Sequence, residues 1–204
     1  LAYLVGTGYG RNEVPFAHEN ISEISCHAMG VFHCNAEIKT IVDIGGQDMK
    51  TITVNHDGSV LEFAMNDKCA AGTGRFYEAM ARVFRMDLDR FSALSLQARN
   101  VIPVTSQCSV FAESEVISLL AKRNPPEDIA AGIQAAVSKR CFTLLKRIGM
   151  KPLVTVTGGC AKNQGLIKSL SRIINMQVTP LPIDPQIIGA LGAAVFAMRK
   201  GLSS

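Results

Sequence analysis

The chain opens on a short apolar run, Ala2-Tyr3-Leu4-Val5, that ends in Gly6-Thr7-Gly8-Tyr9-Gly10, the pattern of a strand entering a glycine-rich turn. A helix is predicted next, from Asn20 or Ser22 to Met29. One strand and one helix cannot bury their own faces, so this stretch reads as the tail of a domain that begins earlier. From Thr40 the apolar positions follow strand patterns. Thr40–Ile44 predicts a strand, Gly45-Gly46-Gln47-Asp48 a tight loop, Lys50–Val54 a second strand, and Asp57-Gly58 a hairpin turn into a third over Val60–Met65. The period then becomes helical. Phe76, Met80, Val83 and Phe84 mark one face of a helix from about Thr73 to Phe84, and another runs from about Ser109 to Lys122. Asn124-Pro125 opens a long helix as N-cap and first-turn proline, with the stripe Ile129, Ile133, Val137, Cys141, Leu145 and Ile148, and Gly149 closes it. The last third alternates: a strand over Leu153–Thr157 feeding Gly158-Gly159, a helix near Asn163–Ile173, a short strand over Gln177–Thr179, and a helix from Pro185 or Gln186 to Arg199. Three antiparallel strands followed by alternating helices and strands predict an α/β domain with a mixed sheet.

Composition narrows the setting. The 204 residues allow one domain or one and a half, and 48% hydrophobic residues suffice for a core. No apolar run approaches the ~18 residues needed to span a bilayer and no signal-like leader is legible, so no membrane partner is expected. Six cysteines without the density of a disulfide framework point to a reducing cytoplasm, where thiols serve clusters or catalysis. The net charge of +4 is mild, the basic residues are scattered and Trp is absent, so no nucleic-acid partner is expected.

Two segments look built for chemistry. Cys69 lies in Asn66-Asp67-Lys68-Cys69-Ala70-Ala71-Gly72-Thr73-Gly74, and Cys108 in Thr105-Ser106-Gln107-Cys108-Ser109-Val110-Phe111. Each cysteine ends a loop just before a predicted helix, whose positive end lowers a thiol's pKa and favours a metal or anionic cluster. Cys141, inside an apolar stripe, is assigned to the core instead. Asp43 followed by Gly45-Gly46 between two strands suits a phosphate-binding hairpin: glycine N–H groups approach phosphate oxygens, and the carboxylate can hold hydrated Mg²⁺. Thr157-Gly158-Gly159 closes another strand of the same domain, so one nucleotide could bridge the two loops. Cys26-His27 with His33-Cys34 has zinc-like composition, but the spacing does not match a zinc knuckle, and packing explains Cys26 better.

Taken together, Gly6–Arg11, Ile24-Ser25-Cys26-His27-Ala28, Asp43-Ile44-Gly45-Gly46-Gln47-Asp48-Met49-Lys50, Asn66–Phe76, Val110–Glu115, Thr157-Gly158-Gly159 and Gly189–Ala194 resemble one family along essentially the whole chain. It is that of the ATP-dependent activators of 2-hydroxyacyl-CoA dehydratases and the homologous ATPase subunits of benzoyl-CoA reductase. The resemblance implies the ribonuclease-H-like fold of the sugar kinase, heat-shock chaperone and actin ATPases, with residues 1–38 the end of a first domain and residues 39–204 the second. It implies that Cys69 and Cys108 each give a thiolate to one 4Fe–4S cluster shared across a homodimer. Asp43, Gly45, Gly46, Gln47 and Asp48 would handle phosphate, Mg²⁺ and the attacking water. Gly158 and Gly159 would approach the adenosine of ATP or ADP with Asn163 in support, and Gly72, Thr73 and Gly74 would lie by the nucleotide.

The implied activity is ATP-driven donation of one electron, received from ferredoxin or flavodoxin, to a dehydratase; the benzoyl-CoA reductase subunits are the alternative within the family. A cluster-free kinase of the same fold or an interaction module would share the glycine loops but has no use for Cys69 and Cys108. The family's first phosphate loop, of the Asp-x-Gly-Ser-Thr type, is not among these residues and is expected before Leu1. Cys160, where the family carries an aliphatic residue, reads as a buried substitution.

Overall fold

A computed structural model describes residues 3–66, 72–105 and 108–202. Strands β1 (Val5–Gly6) and β2 (Glu19–Asn20) are two residues each and pair in parallel. Helix α1 (Glu23–Cys34) follows, with the Ser22 hydroxyl accepting from the Ser25 N–H as an N-cap. It runs past its predicted end at Met29, because Val31 continues the buried face.

The central sheet combines β3 (Thr40–Ile44), β4 (Met49–Val54), β5 (Val60–Asn66) and, far along the chain, β6 (Val154–Thr157). Its order is β5-β4-β3-β6, antiparallel through the first three, with β6 parallel to β3. Strands β3 and β4 are buried at every position. Alternate residues serve two cores: Val42 and Ile44 face one, Ile41 and Ile52 the other. A strand covered on both sides reads as a continuous apolar run, which is why β3 was legible.

Helices α2 (Gly74–Val83), α3 (Leu88–Leu96), α4 (Ser109–Ala121), α5 (Pro126–Arg147) and α6 (Gln164–Ile174) come next along the chain. All six stripe residues, five within α5 and Ile148 at its C-cap, are buried in the larger core. Four details depart from the pattern reading. Helix α3 was not anticipated, since it buries only Phe91, Ser92 and Ser95 and carries too short an apolar stripe; Asp87 caps it through the Arg90 N–H. Helix α5 starts one residue later than expected, with Pro125 as N-cap, while the Asn124 amide donates to the Leu119 carbonyl at the end of α4. The expected strand at Gln177–Thr179 is a single bridge, Val154 to Val178, because Pro180 cannot extend the ladder. Finally, α7 (Ile188–Gly201) begins after a turn in which the Asp184 carbonyl accepts from the Ile187 N–H, leaving Gln186 outside the helix.

Helices α1 and α7 pack closely. A Cβ at Gly192 would fall onto the carbonyl oxygen of Cys26, so only glycine lets the two backbones meet there. The small-residue Gly189–Ala194 run therefore serves helix–helix approach. Among the described residues no helix is long and apolar enough to cross a membrane.

Candidate functional site

Strand β3 carries Asp43 to its carboxyl end, in register with Thr157 of β6. Ligands of open α/β sheets gather beyond such strand ends. Thr157 Oγ1 donates to Asp43 Oδ1 at 3.0 Å, and His27 Nδ1 lies 2.9 Å from the same hydroxyl. With its single proton on Asp43, the hydroxyl accepts from His27, which places a hydrogen on Nδ1. Lys50, 3% exposed, lies 2.5 Å from Asp48 Oδ2, 3.7 Å from Asp43 Oδ2 and 3.8 Å from Glu23 Oε1. Glu23 is paired in turn with Arg11 at 2.7 Å. One buried ammonium thus holds both candidate carboxylates of the hairpin.

The hairpin loop is anchored to the helix behind it. Gly74 N–H donates to the Gly45 carbonyl and Arg75 N–H to the Gly46 carbonyl, each at 2.9 Å. The opposing loop requires glycine: Gly158 has φ +82°, and a Cβ there would lie 2.9 Å from Asp43 Oδ1 and run into the Ile44 carbonyl. Between the loops opens a cleft of about 350 Å³. Of the residues expected at the nucleotide, Gly45, Gly46, Gly74, Gly159 and Asn163 line it. Asp43 and Gly158, which touch each other, are outside its lining, Asp48 faces Lys50, and Gln47 is exposed outside the lining. Thr73 is buried, and Gly72 packs near Met49 and Arg140.

Several residues of the site were not singled out. Tyr77 and Glu78 of α2, Leu88 and Asp89 of α3, Lys162 and Gln186 also line the cleft. Lys162 Nζ donates to Asp184 Oδ2 at 2.8 Å and to Gln186 Oε1 at 2.7 Å, which holds the Asp184 carboxyl below the ordinary range. Asn163 caps α6 through the Leu166 N–H and exchanges amide hydrogen bonds with buried Gln134. Burial pushes the Tyr77 phenol well up, so it stays neutral and donates to Gln134 Oε1 at 2.7 Å. Lys50 and Lys162 were visible beside the motifs as charged residues, but their burial or partners were not.

Cys69 falls in 67–71, outside the described residues. Cys108 is exposed at the N-cap of α4, with no side-chain hydrogen bond to the helix end. Val110 and Phe111 in the first turn after it are each 68% exposed. Helices α2 and α4, which follow the two cysteine segments, pack against each other. The remaining cysteines differ in kind. Burial pushes Cys141 and Cys160 up to about 12, and Cys26 and Cys34 are raised for the same cause. The Cys26 thiol points to the Ile21 carbonyl and His27 bonds Thr157, so the two side chains have different neighbours.

A thiol pKa near 12 leaves almost no thiolate at neutral pH. Iodoacetamide at pH 8 is therefore expected to modify Cys108 in the folded, metal-free protein and to spare Cys141 and Cys160 until denaturant is added. Peptide mapping checks this, and labelling of Cys141 without denaturant would contradict its burial.

The model of the BadF/BadG/BcrA/BcrD ATPase family matches residues 1–197. The 2-hydroxyisocaproyl-CoA dehydratase activator of Clostridioides difficile is 46% identical over 201 residues, covering 98% of this chain and 75% of the relative. The solved structure of that activator from Clostridium difficile with bound ADPNP superposes at TM-score 0.94 with 45% identity, covering 100% of this chain and 75% of that one. Component A of (R)-2-hydroxyglutaryl-CoA dehydratase from Acidaminococcus fermentans superposes at 0.95 with 41% identity, covering 99% and 78%. A benzoyl-CoA reductase subunit of Thauera aromatica is more distant, 32% identical over 95% of this chain and 70% of its own length. The fold is the expected one of mixed sheet and flanking helices, and the chain belongs to the BadF/BadG/BcrA/BcrD ATPase family.

Proposed function

We propose that this protein is an ATP-driven one-electron donor to a 2-hydroxyacyl-CoA dehydratase. The observation that carries the reading is the tether between the two candidate sites. The carbonyls of Gly45 and Gly46, in the phosphate hairpin, accept from the first N–H groups of α2, directly after the Cys69 segment. Any shift of the hairpin with nucleotide state is passed to that helix through two hydrogen bonds. Similarity supports ATP as the ligand, since a relative at TM-score 0.94 is solved with ADPNP. The higher identity to dehydratase activators, 46% against 32% for the benzoyl-CoA reductase relative, favours the dehydratase as acceptor.

The residues present fit the implied groups. Cys108 offers an exposed thiol at the positive end of a 13-residue helix beside apolar side chains, suited to a metal ligand near another protein surface. With Cys69 it would make two thiolates per chain, so a homodimer supplies the four that a 4Fe–4S cluster takes. Such a cluster supplies a low-potential one-electron carrier, for which ferredoxin or flavodoxin is the natural source. Asp43 and Asp48 would hold Mg²⁺ through water beside the phosphates, and Lys50 and Thr157 fix their orientation. Gly45 and Gly46 would receive the phosphates, Gln47 would orient the attacking water, and Gly159 with Asn163 would border the adenosine. For phosphoryl transfer, positioning and electrostatics of this kind suffice.

Iron and acid-labile sulfide per chain on anaerobically purified protein, together with its mass in solution, test the reading. One four-iron cluster per dimer and ATP-dependent reduction of a dehydratase are expected; electron transfer at equal rate without ATP would refute the coupling. Asp43→Asn is expected to cut ATP hydrolysis at least about a hundredfold while leaving iron unchanged. A variant that also loses its iron would overturn the separate roles of the two sites.

A further inference from the structure

A second cleft, of about 390 Å³, opens between α3, α5 and α6 and shares no lining residue with the nucleotide cleft. Four cationic side chains border it: Arg99 just after α3, Lys139 on α5, and Lys168 and Arg172 one turn apart on α6. Among the described residues no Asp or Glu lines it. The neighbouring carboxylate is already used, because Asp128 Oδ1 accepts from the backbone N–H groups of Arg99 and Asn100. None of the four cations forms an ion pair among the described residues. An independent sign of a ligand comes from Ser138. It lines the same cleft, is 0% exposed, and its hydroxyl has no hydrogen-bond partner among the described residues. Buried hydroxyls are nearly always satisfied, so an orphan on the wall of a cationic cleft calls for an acceptor from outside the chain. We infer that this cleft binds a small organic phosphate or polyphosphate, with Ser138 donating to it and Arg99, Lys139, Lys168 and Arg172 neutralising its charge.

The volume is in the range of small-molecule sites, and unpaired Arg and Lys around a concave surface are the usual recognition of multiply charged phosphate. The site is separate from ATP hydrolysis, because the nucleotide cleft has its own loops.

Pyrophosphate serves as the probe, titrated calorimetrically at constant ionic strength without divalent cations, with ADP saturating the nucleotide cleft. Saturable binding of one pyrophosphate per chain is expected, weakened about tenfold by Arg172→Gln and by Ser138→Ala, and unchanged by Lys122→Gln, an exposed lysine at the end of α4. Ser138→Ala removes only an unsatisfied hydroxyl, so its melting temperature should equal or exceed the parent's, which separates lost binding from lost folding. Three results would overturn the inference: no saturable binding with ADP present, equal weakening by Lys122→Gln, or an affinity that neither Ser138→Ala nor Arg172→Gln changes.

Discussion

Cys108→Ser is expected to strip the protein of iron while leaving its fold and nucleotide affinity intact. Cys108 is exposed, belongs to neither core cluster among the described residues and occupies the N-cap of α4. Serine is a better N-cap than cysteine and changes no buried volume, so stability should move by less than about 1 kcal/mol, in the stabilising direction. Iron binding has no such tolerance. If two chains supply four thiolates, one substitution removes two of them at once, and a cluster held by the remaining two loses half its ligands. Iron per chain should fall below about a tenth of the parent value, and any dimer held by the cluster should sediment as monomer. ADP affinity should stay within about twofold, because Cys108 does not line the nucleotide cleft. Full iron in Cys108→Ser would remove Cys108 from the ligand set and with it the thiolate count on which the shared cluster rests.

How far the sequence could be read follows from where each residue's energy comes from. Strands β3 to β5 and helix α5 were legible because a run of buried apolar residues imposes a period of 2 or 3.6 on the chain. Helix α3 was not. Its buried contacts include Ser92 and Ser95, whose hydroxyls bond the Gly165 N–H and the Ser92 carbonyl, and hydroxyls leave no hydrophobic period. The two glycine loops stood out from their position at strand ends. That Gly158 lies against Asp43, and that Gly74 donates to Gly45, depends on pairings 115 and 29 residues apart along the chain, which no local pattern encodes. Lys50 and His27 show the same limit. Each stood inside a quoted motif, yet only the register of β3 with β4 brings Lys50 to Asp43, and only the pairing of β6 with β3 puts Thr157 between Asp43 and His27 of α1.

That register makes Lys50 the residue whose neutralisation should cost the fold most. Lys50→Met keeps the length and apolar stem of the side chain and removes only the ammonium. Asp48 Oδ2 then loses its partner at 2.5 Å, and Asp43 Oδ2 loses the cation 3.7 Å away. Both carboxylates are buried, 6% and 4% exposed, so bulk water compensates little of the lost charge. Removing one partner of a buried ion pair typically costs about 3–5 kcal/mol, because the other charge is left uncompensated. For a chain of this size that corresponds to a fall in Tm of roughly 10 °C. The cause is the stranded carboxylates, not the missing lysine, and a second substitution separates the two. Lys50→Met with Asp48→Asn removes one stranded charge and should recover about half the loss, whereas Asp48→Asn alone should destabilise. Differential scanning calorimetry of the four proteins closes the cycle. If Lys50→Met melts no lower than the parent, Lys50 does not support the hairpin, and Asp43 and Asp48 must be held by the backbone of the Gly45-Gly46 loop instead.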